Sequence, residues 1–281
     1  MSSPLNVLVV GGSRNSGYYS SVRLLKKGYT VTFLLRNASV FDADEDIQPH
    51  VRSGKARLVQ GDALKIDDVK NAWNEASKDA PVDLLLFSVG FTGKPGFHIL
   101  KGFVIDPPNL VTQSLLNCLS TIPKVSPSPK IIIISTSAAT KSSRGKAPFL
   151  LKPVYGYLIS GPAADKLGVE KVVHILSGWE WNSKANGEPS EEVLPKDWTK
   201  IEGLPAPGSL NAIAVVHAAM LTDGECLADT AAAQGQKLPY RTGPAPVAGY
   251  TVSRRDVAHF VVEGVLAKWE EYGNKELGIA Y

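Results

Sequence analysis

The sequence predicts an α/β domain: a doubly wound parallel sheet with a small C-terminal region beside it. Three observations predict it. Apolar runs of strand length alternate with longer segments of helical period, the pattern of a parallel sheet with crossover helices. The runs are nearly continuous in Val, Ile and Leu, as strands buried on both faces are. The first run also ends in a glycine-rich turn.

The runs are Leu5–Val10, Tyr29–Leu35, Ala56–Gln60, Val82–Phe87, Lys130–Ser135 and Ala212–Ala219. Helices are expected over Ser16–Lys27, Ile66–Lys78, Leu110–Leu119 and Pro162–Leu176, the last opening on a proline that suits a first helical turn. Residues 179–209 carry Trp179, Trp181 and Trp198 among Gly, Pro, Asn and Glu with no clear period. So long an irregular stretch reads as a lid or small subdomain whose tryptophans would give a substrate pocket an aromatic wall, or as a surface excursion that the tryptophans pack down. A capping-box-like Ser253, Arg254, Arg255, Asp256 then opens a helix to about Lys268, before a terminal strand Leu277–Tyr281. The expected organisation is a dinucleotide-binding core over 1–178, an irregular insertion over 179–209, and strands and a helix over 210–281 that complete the fold and its substrate side.

Composition narrows the function. The 281 residues suffice for one large α/β domain, and a net charge of +3 with scattered basic residues argues against nucleic acid. Cys118 and Cys226 are too few and too far apart for a disulfide framework and read as reduced thiols. The start of the chain lacks a basic signal-peptide region, and no apolar run nears the ~20 residues a membrane span needs, so a cytoplasmic location is expected. His50, His98, His174, His217 and His259 show no ligand spacing, so no metal is expected.

The strongest motif runs from Val9 through Gly11, Gly12, Ser13, Arg14, Asn15 and Ser16 to Gly17, between the first strand and first helix. Glycine there permits a tight turn and lets a pyrophosphate approach backbone N–H groups at a helix N-terminus. That context makes the sheet Rossmann-type. Arg36 follows the second strand, where such folds read the adenosine ribose; with Arg14 it suits a 2′-phosphate, hence NADP(H) rather than NAD. Asp62 and Ala63 after the third strand suit an adenine contact, and Ser88, Val89 and Gly90 after the fourth suit the ribose and pyrophosphate.

With these motifs the chain resembles an atypical short-chain dehydrogenase/reductase, more specifically the NmrA-like NAD(P)-binding proteins. The glycine segment is similar to that family's TGxxxGxG, with Val10 for Thr and Asn15 for the middle Gly. Arg36, the Gly61 and Asp62 pair, and Ser135, Thr136, Ser137 also match. So do Lys166 and Glu170 followed by Ser177 and Gly178. Later, Leu221 to Gly224 and Ser253 to Ala258 resemble substrate-side segments, while His217 stands where relatives often carry Arg. The resemblance spans nearly the whole chain outside 179–209.

It implies hydride transfer between nicotinamide and a carbonyl or alcohol. In such enzymes a Tyr handles the proton, a Lys four residues on lowers its pKa and holds the ribose, and a Ser orients the carbonyl. Lys166 matches the Lys and Ser137 the Ser, but Pro162 occupies the tyrosine position. Tyr155 or Tyr157, just upstream, would then have to deliver the phenol. The expected function is an NADP(H)-dependent oxidoreductase reducing a small carbonyl, quinone or enone. The alternatives are a non-catalytic NADP(H)-sensing regulator with a protein partner, and a redox-silent isomerase or cyclase. A homodimer is left open.

Overall fold

A computed structural model describes residues 4–90, 96–98, 102–104, 106–145 and 160–281, with side chains described outside 91–105 and 144–160. In chain order the elements are β1 (Asn6–Val10), α1 (Asn15–Lys26), β2 (Thr30–Leu35), α2 (Gln48–Arg52), β3 (Ala56–Gln60), α3 (Ile66–Ala76) and β4 (Leu84–Phe87). After them come β5 (Gly96–His98), β6 (Gly102–Val104), α4 (Leu110–Ser120), β7 (Lys130–Thr136), α5 (Lys141–Gly145), α6 (Ser160–Ser177) and α7 (Ser183–Asn186). The chain closes with β8 (Ile213–Ala218), β9 (Met220–Thr222), α8 (Leu227–Ala233), β10 (Arg241–Pro244), β11 (Thr251–Ser253), α9 (Arg254–His259), α10 (Trp269–Tyr272) and β12 (Lys275–Ala280).

The main sheet has eight strands in the order β10-β12-β8-β7-β4-β1-β2-β3. All its pairings are parallel except β10 with β12. Strand order reverses between β1 and β4, the switch point where a Rossmann-type sheet opens a crevice at its carboxyl ends. Side chains alternate between the two faces. Val7 and Val9 join Phe33, Leu84 and Leu86 on one, while Leu8 and Val10 join Leu85, Phe87, Ile131 and Ile133 on the other. Both faces are covered, which is why the strands read as unbroken apolar runs. Fully burying one such side chain contributes roughly 1.5–3 kcal/mol.

Helix α6 is seated by a buried carboxylate. Asp165 accepts hydrogen bonds from the Val111 and Thr112 amides at 2.7 and 2.9 Å, satisfying donors that the first turn of α4 leaves open. The Thr112 hydroxyl returns a bond to the Asp165 carbonyl at 2.7 Å. Burial raises the Asp165 pKa, partly countered by the two amides.

Two expectations are corrected at the C-terminus. Ser253 does cap a helix, accepting from the Asp256 amide at 2.9 Å, but the helix is not continuous to Lys268. After α9 the chain widens into a π-helical stretch, Phe260–Leu266, before α10. Gly264 lies against the Phe260 ring, where a Cβ would collide with it, a packing that apolar periodicity does not reveal. The final strand begins at Lys275 and lies between β8 and β10.

The 179–209 segment holds α7 and a short 3₁₀ turn, Trp198–Lys200, and is otherwise irregular. Trp198 and Leu194 are buried in the core. No helix among the described residues is long and apolar enough to cross a membrane.

Replacing Asp165 by Ala strands two buried N–H groups. Urea unfolding of Asp165→Ala is expected to show a loss of about 1–3 kcal/mol. A loss below ~0.5 kcal/mol, the scale of an ordinary surface change, would show that this bond does not seat α6.

Candidate functional site

The site begins with the turn between β1 and α1. Gly11 has φ +89°, and a Cβ on it would meet the Ser88 carbonyl carbon and the Val89 nitrogen at 2.5 Å. A Cβ on Gly17 would fall on the Gly11 carbonyl oxygen and lie 2.9 Å from Ser88 Oγ. At Gly12 it would meet Val9 and the Phe33 ring. Glycine is therefore required by close approach as well as by the turn. Arg14 stands at the N-cap of α1 without a side-chain cap, and the first turn carries no acidic residue. The positive end of that helix is left to receive an anion.

This turn opens into a cleft of about 940 Å³ along the carboxyl ends of the strands. Of the residues expected to bind a cofactor, Gly11, Ser13, Arg14, Asn15, Arg36, Asp62, Ala63, Ser88, Val89, Gly90 and Lys166 all line it. Gly12 and Gly17 lie behind the wall and set its shape. The charged lining residues among those described are Arg14, Arg36, Lys166 and Arg254 against Asp62 and Asp106, a balance that favours an anionic ligand. Asp62 is held in place, its amide donating to Asp68 at 2.8 Å and its carboxylate accepting from the Leu64 amide at 3.0 Å.

Lys166, on α6, reaches the cleft's inner end. Its ammonium donates to the carbonyls of Val89 at 3.0 Å and Ile134 at 3.1 Å, so it ties the ends of β4 and β7 together. Burial pushes its pKa down to about 8, against the pull of Asp165 and Glu170. Ser137 lies just past β7 with its amide on the Ala218 carbonyl at 2.9 Å and is not among the cleft-lining residues; Ser135 and Thr136 are. Ser135 Oγ donates to Glu170 at 2.5 Å, and His217, its partner on β8, sits within 3.2 Å of the same carboxylate. Tyr155 and Tyr157 lie outside the described residues. Pro162 falls in the first turn of α6, four residues before Lys166.

Ser135, Thr136, Asn37, Ser114, Leu221 and Arg254 also line the cleft without having been singled out as site residues. Arg254 had a legible signal, its place in the capping segment that resembles the reductases' substrate side. The aromatic wall expected from 179–209 is absent, since none of the described lining residues comes from that segment. Trp179 and Trp181 pack edge-on against His174 instead. Cys118 and Cys226 have thiols pushed up to about 12 by burial and offer no ready nucleophile.

Fold and cleft define the class: a Rossmann-type α/β fold with a cleft at its switch point. No family model matches the chain. It is 23% identical over 268 residues to the reductase pytE of Aspergillus terreus, covering 92% of this chain and 90% of that protein. Among solved structures, yeast methylglyoxal/isovaleraldehyde reductase Gre2 complexed with NADPH is similar at TM-score 0.56 and 14% identity, covering 98% of this chain and 77% of Gre2. A short-chain dehydrogenase/reductase from Serratia marcescens is similar at TM-score 0.53 and 18% identity, covering 92% and 89%. The resemblance to short-chain dehydrogenases/reductases thus holds at the level of fold.

Gly17→Ala is expected to lower the unfolding free energy by about 1–3 kcal/mol through overpacking. Gly90→Ala, where a Cβ meets nothing within 4 Å among the described residues, serves as its control and stays within ~0.5 kcal/mol of wild type. Equal urea midpoints for the two variants would refute the close-approach account of the turn.

Proposed function

We propose that the protein is an NADP(H)-dependent oxidoreductase that reduces a small carbonyl, quinone or enone compound. The observation carrying this is the single cleft that unites the glycine turn, Arg14 and Arg36, and Lys166. The turn fits a pyrophosphate, because the space at Gly11 and Gly17 admits no side chain and the α1 terminus is uncapped. Arg36 and Arg14 would pair with a 2′-phosphate, and Asp62 and Ala63 would border the adenine. NADPH is also the ligand in the similar Gre2 structure.

Bound there, the reduced nicotinamide supplies a hydride. The chain's own contribution is positioning and a proton. Lys166 would hold the ribose side of the cleft with a cation whose two bonds to Val89 and Ile134 fix its direction. A donor must then stand within ~3 Å of the substrate oxygen. Tyr155 or Tyr157 would fill that role, and Ser135 and Thr136 would border the substrate. Pro162, standing where a phenol is needed, favours a second reading: an NADP(H)-binding regulator that meets a protein partner without turnover.

Titration of both cofactors is expected to show NADPH binding about ten- to a hundredfold more tightly than NADH, the worth of one charge-assisted pair. Arg36→Ala should erase the difference. Equal affinities in the wild type would remove the NADP assignment.

A panel of quinones, aldehydes and enones should reveal NADPH oxidation by absorbance. Tyr155→Phe or Tyr157→Phe is expected to lower turnover at least ~10²-fold with cofactor affinity nearly unchanged. Lys166→Ala should weaken both. Tight NADPH binding with no turnover across the panel would replace the enzyme by the regulator.

A further inference from the structure

Beneath α6, outside the cleft, four side chains converge. Glu170 and His174 stand one turn apart on the helix and share a face. His217 on β8 and Glu276 on β12 rise from adjacent strands. Glu170 Oε2 lies 3.2 Å from His217 Nε2, which lies 3.6 Å from Glu276 Oε1, which lies 3.2 Å from His174 Nε2. The donor atoms of Glu170, His174 and Glu276 all fall within 4.8 Å of one another.

Hydrogen bonding leaves this cluster unfinished. The bond between His174 Nδ1 and the Glu180 carbonyl, 2.8 Å, makes Nδ1 the protonated nitrogen, because a carbonyl only accepts. His174 Nε2 then faces the Glu276 carboxylate at 3.2 Å, donating to it when the ring is protonated and turning a lone pair towards it when the ring is neutral. Glu170 Oε2 and His217 Nε2 are buried side by side, yet are not aligned as donor and acceptor and make no hydrogen bond among the described residues. Two carboxylates and two imidazole nitrogens thus face one another, and the pair between Glu170 and His217 is left without a hydrogen-bond partner.

We propose that Glu170, His174, His217 and Glu276 form a tetrahedral site for a divalent cation of the zinc class. Bonds of ~2.0–2.1 Å from nitrogen and oxygen put neighbouring donors about 3.3 Å apart, close to the 3.2, 3.6 and 3.2 Å of the three imidazole–carboxylate contacts, and small side-chain shifts would close the remaining pairs. Two carboxylates balance the charge of a divalent ion, and two imidazoles give the borderline-soft donors that select zinc over magnesium or calcium. Outer-sphere contacts are present. His174 donates to the Glu180 carbonyl, and the second Glu170 oxygen accepts from Ser135 Oγ. Lys166, one turn before Glu170, directs its ammonium away, to the Val89 and Ile134 carbonyls. Glu276 is the partly exposed ligand and gives the ion its way in, while Trp179 and Trp181 cover His174. The bound ion joins α6 to β8 and β12, and through Ser135 it stiffens the inner wall of the cleft.

The test uses the full-length, tag-free protein, stripped with a chelator and titrated with Co²⁺ as a spectroscopic stand-in. One molar equivalent should bind with the visible absorption of a tetrahedral ion, and Zn²⁺ but not Mg²⁺ should displace it and raise the thermal midpoint. Glu276→Gln and His174→Gln, each verified as folded by circular dichroism, should each weaken Co²⁺ binding at least ~10-fold, and the double variant should abolish it. Ser135→Ala should weaken it about 10- to 100-fold, as loss of an outer-sphere partner does. No bound equivalent in the wild type would overturn the proposal. So would binding that survives the double variant, or a sulfur charge-transfer band that moves the ion to a cysteine. NADPH titration on the same samples reads the cleft separately, so failure of the metal site and failure of the oxidoreductase reading are distinguishable.

Discussion

The architecture depends on one close approach, that of the β1–α1 turn to the end of β4. Gly11 and Gly17 bring their backbones against Ser88 so closely that no Cβ fits at either position. The contact aligns the α1 N-terminus with the carboxyl ends of the sheet and leaves its amides uncapped. It also lies at the reversal of strand order, where the chain departs in opposite directions on the two sides. The cleft exists because these two features coincide.

A second constraint fixes the cleft's inner end. Helix α6 carries Asp165, Lys166, Glu170 and His174 along little more than two turns, and each meets a different element. Asp165 holds α4, Lys166 joins β4 to β7, and Glu170 and His174 face β7, β8 and β12. Burying so many ionisable groups is costly unless each is matched. Burial pushes the His217 pKa down and the Glu170 pKa up, but their mutual attraction outweighs it, so His217 ends above its ordinary value and Glu170 below. The 179–209 segment packs along α6, with Val193 against Gly168, Glu188 paired to Lys171, and Trp179 and Trp181 against His174. That segment therefore covers the acid–base cluster rather than the cleft.

Much of this was legible in the chain. Six of the eight main-sheet strands appear as apolar runs; the inner ones are buried on both faces, while the edge strand β3 carries Arg57 and the exposed Gln60 within a weaker run. Apart from Lys166 on α6, the cleft-lining residues singled out in the chain were legible because each follows a strand, and a parallel sheet brings all those ends to one edge. Strand β10 was not legible. It reads Arg241–Pro244, lies on the sheet's edge and is largely exposed, so it lacks an apolar signature. The π-helical stretch was missed because apolar spacing cannot distinguish a widened turn from a regular one.

By itself, the sequence determined the parallel sheet, the glycine turn and the row of residues at the carboxyl edge, since all three follow from local spacing and strand order. Tertiary structure alone decided which serines face the cleft, where the tryptophans go, and what His217 touches. Ser135 and Ser137 are two residues apart, yet only the packed sheet shows that one lines the cleft while the amide of the other binds the end of β8. His174, His217 and Glu276 are separated by dozens of residues and share no spacing that marks them as neighbours. They meet because β8 pairs with β12 and α6 crosses above both, and long-range pairing of that kind leaves no trace in local pattern.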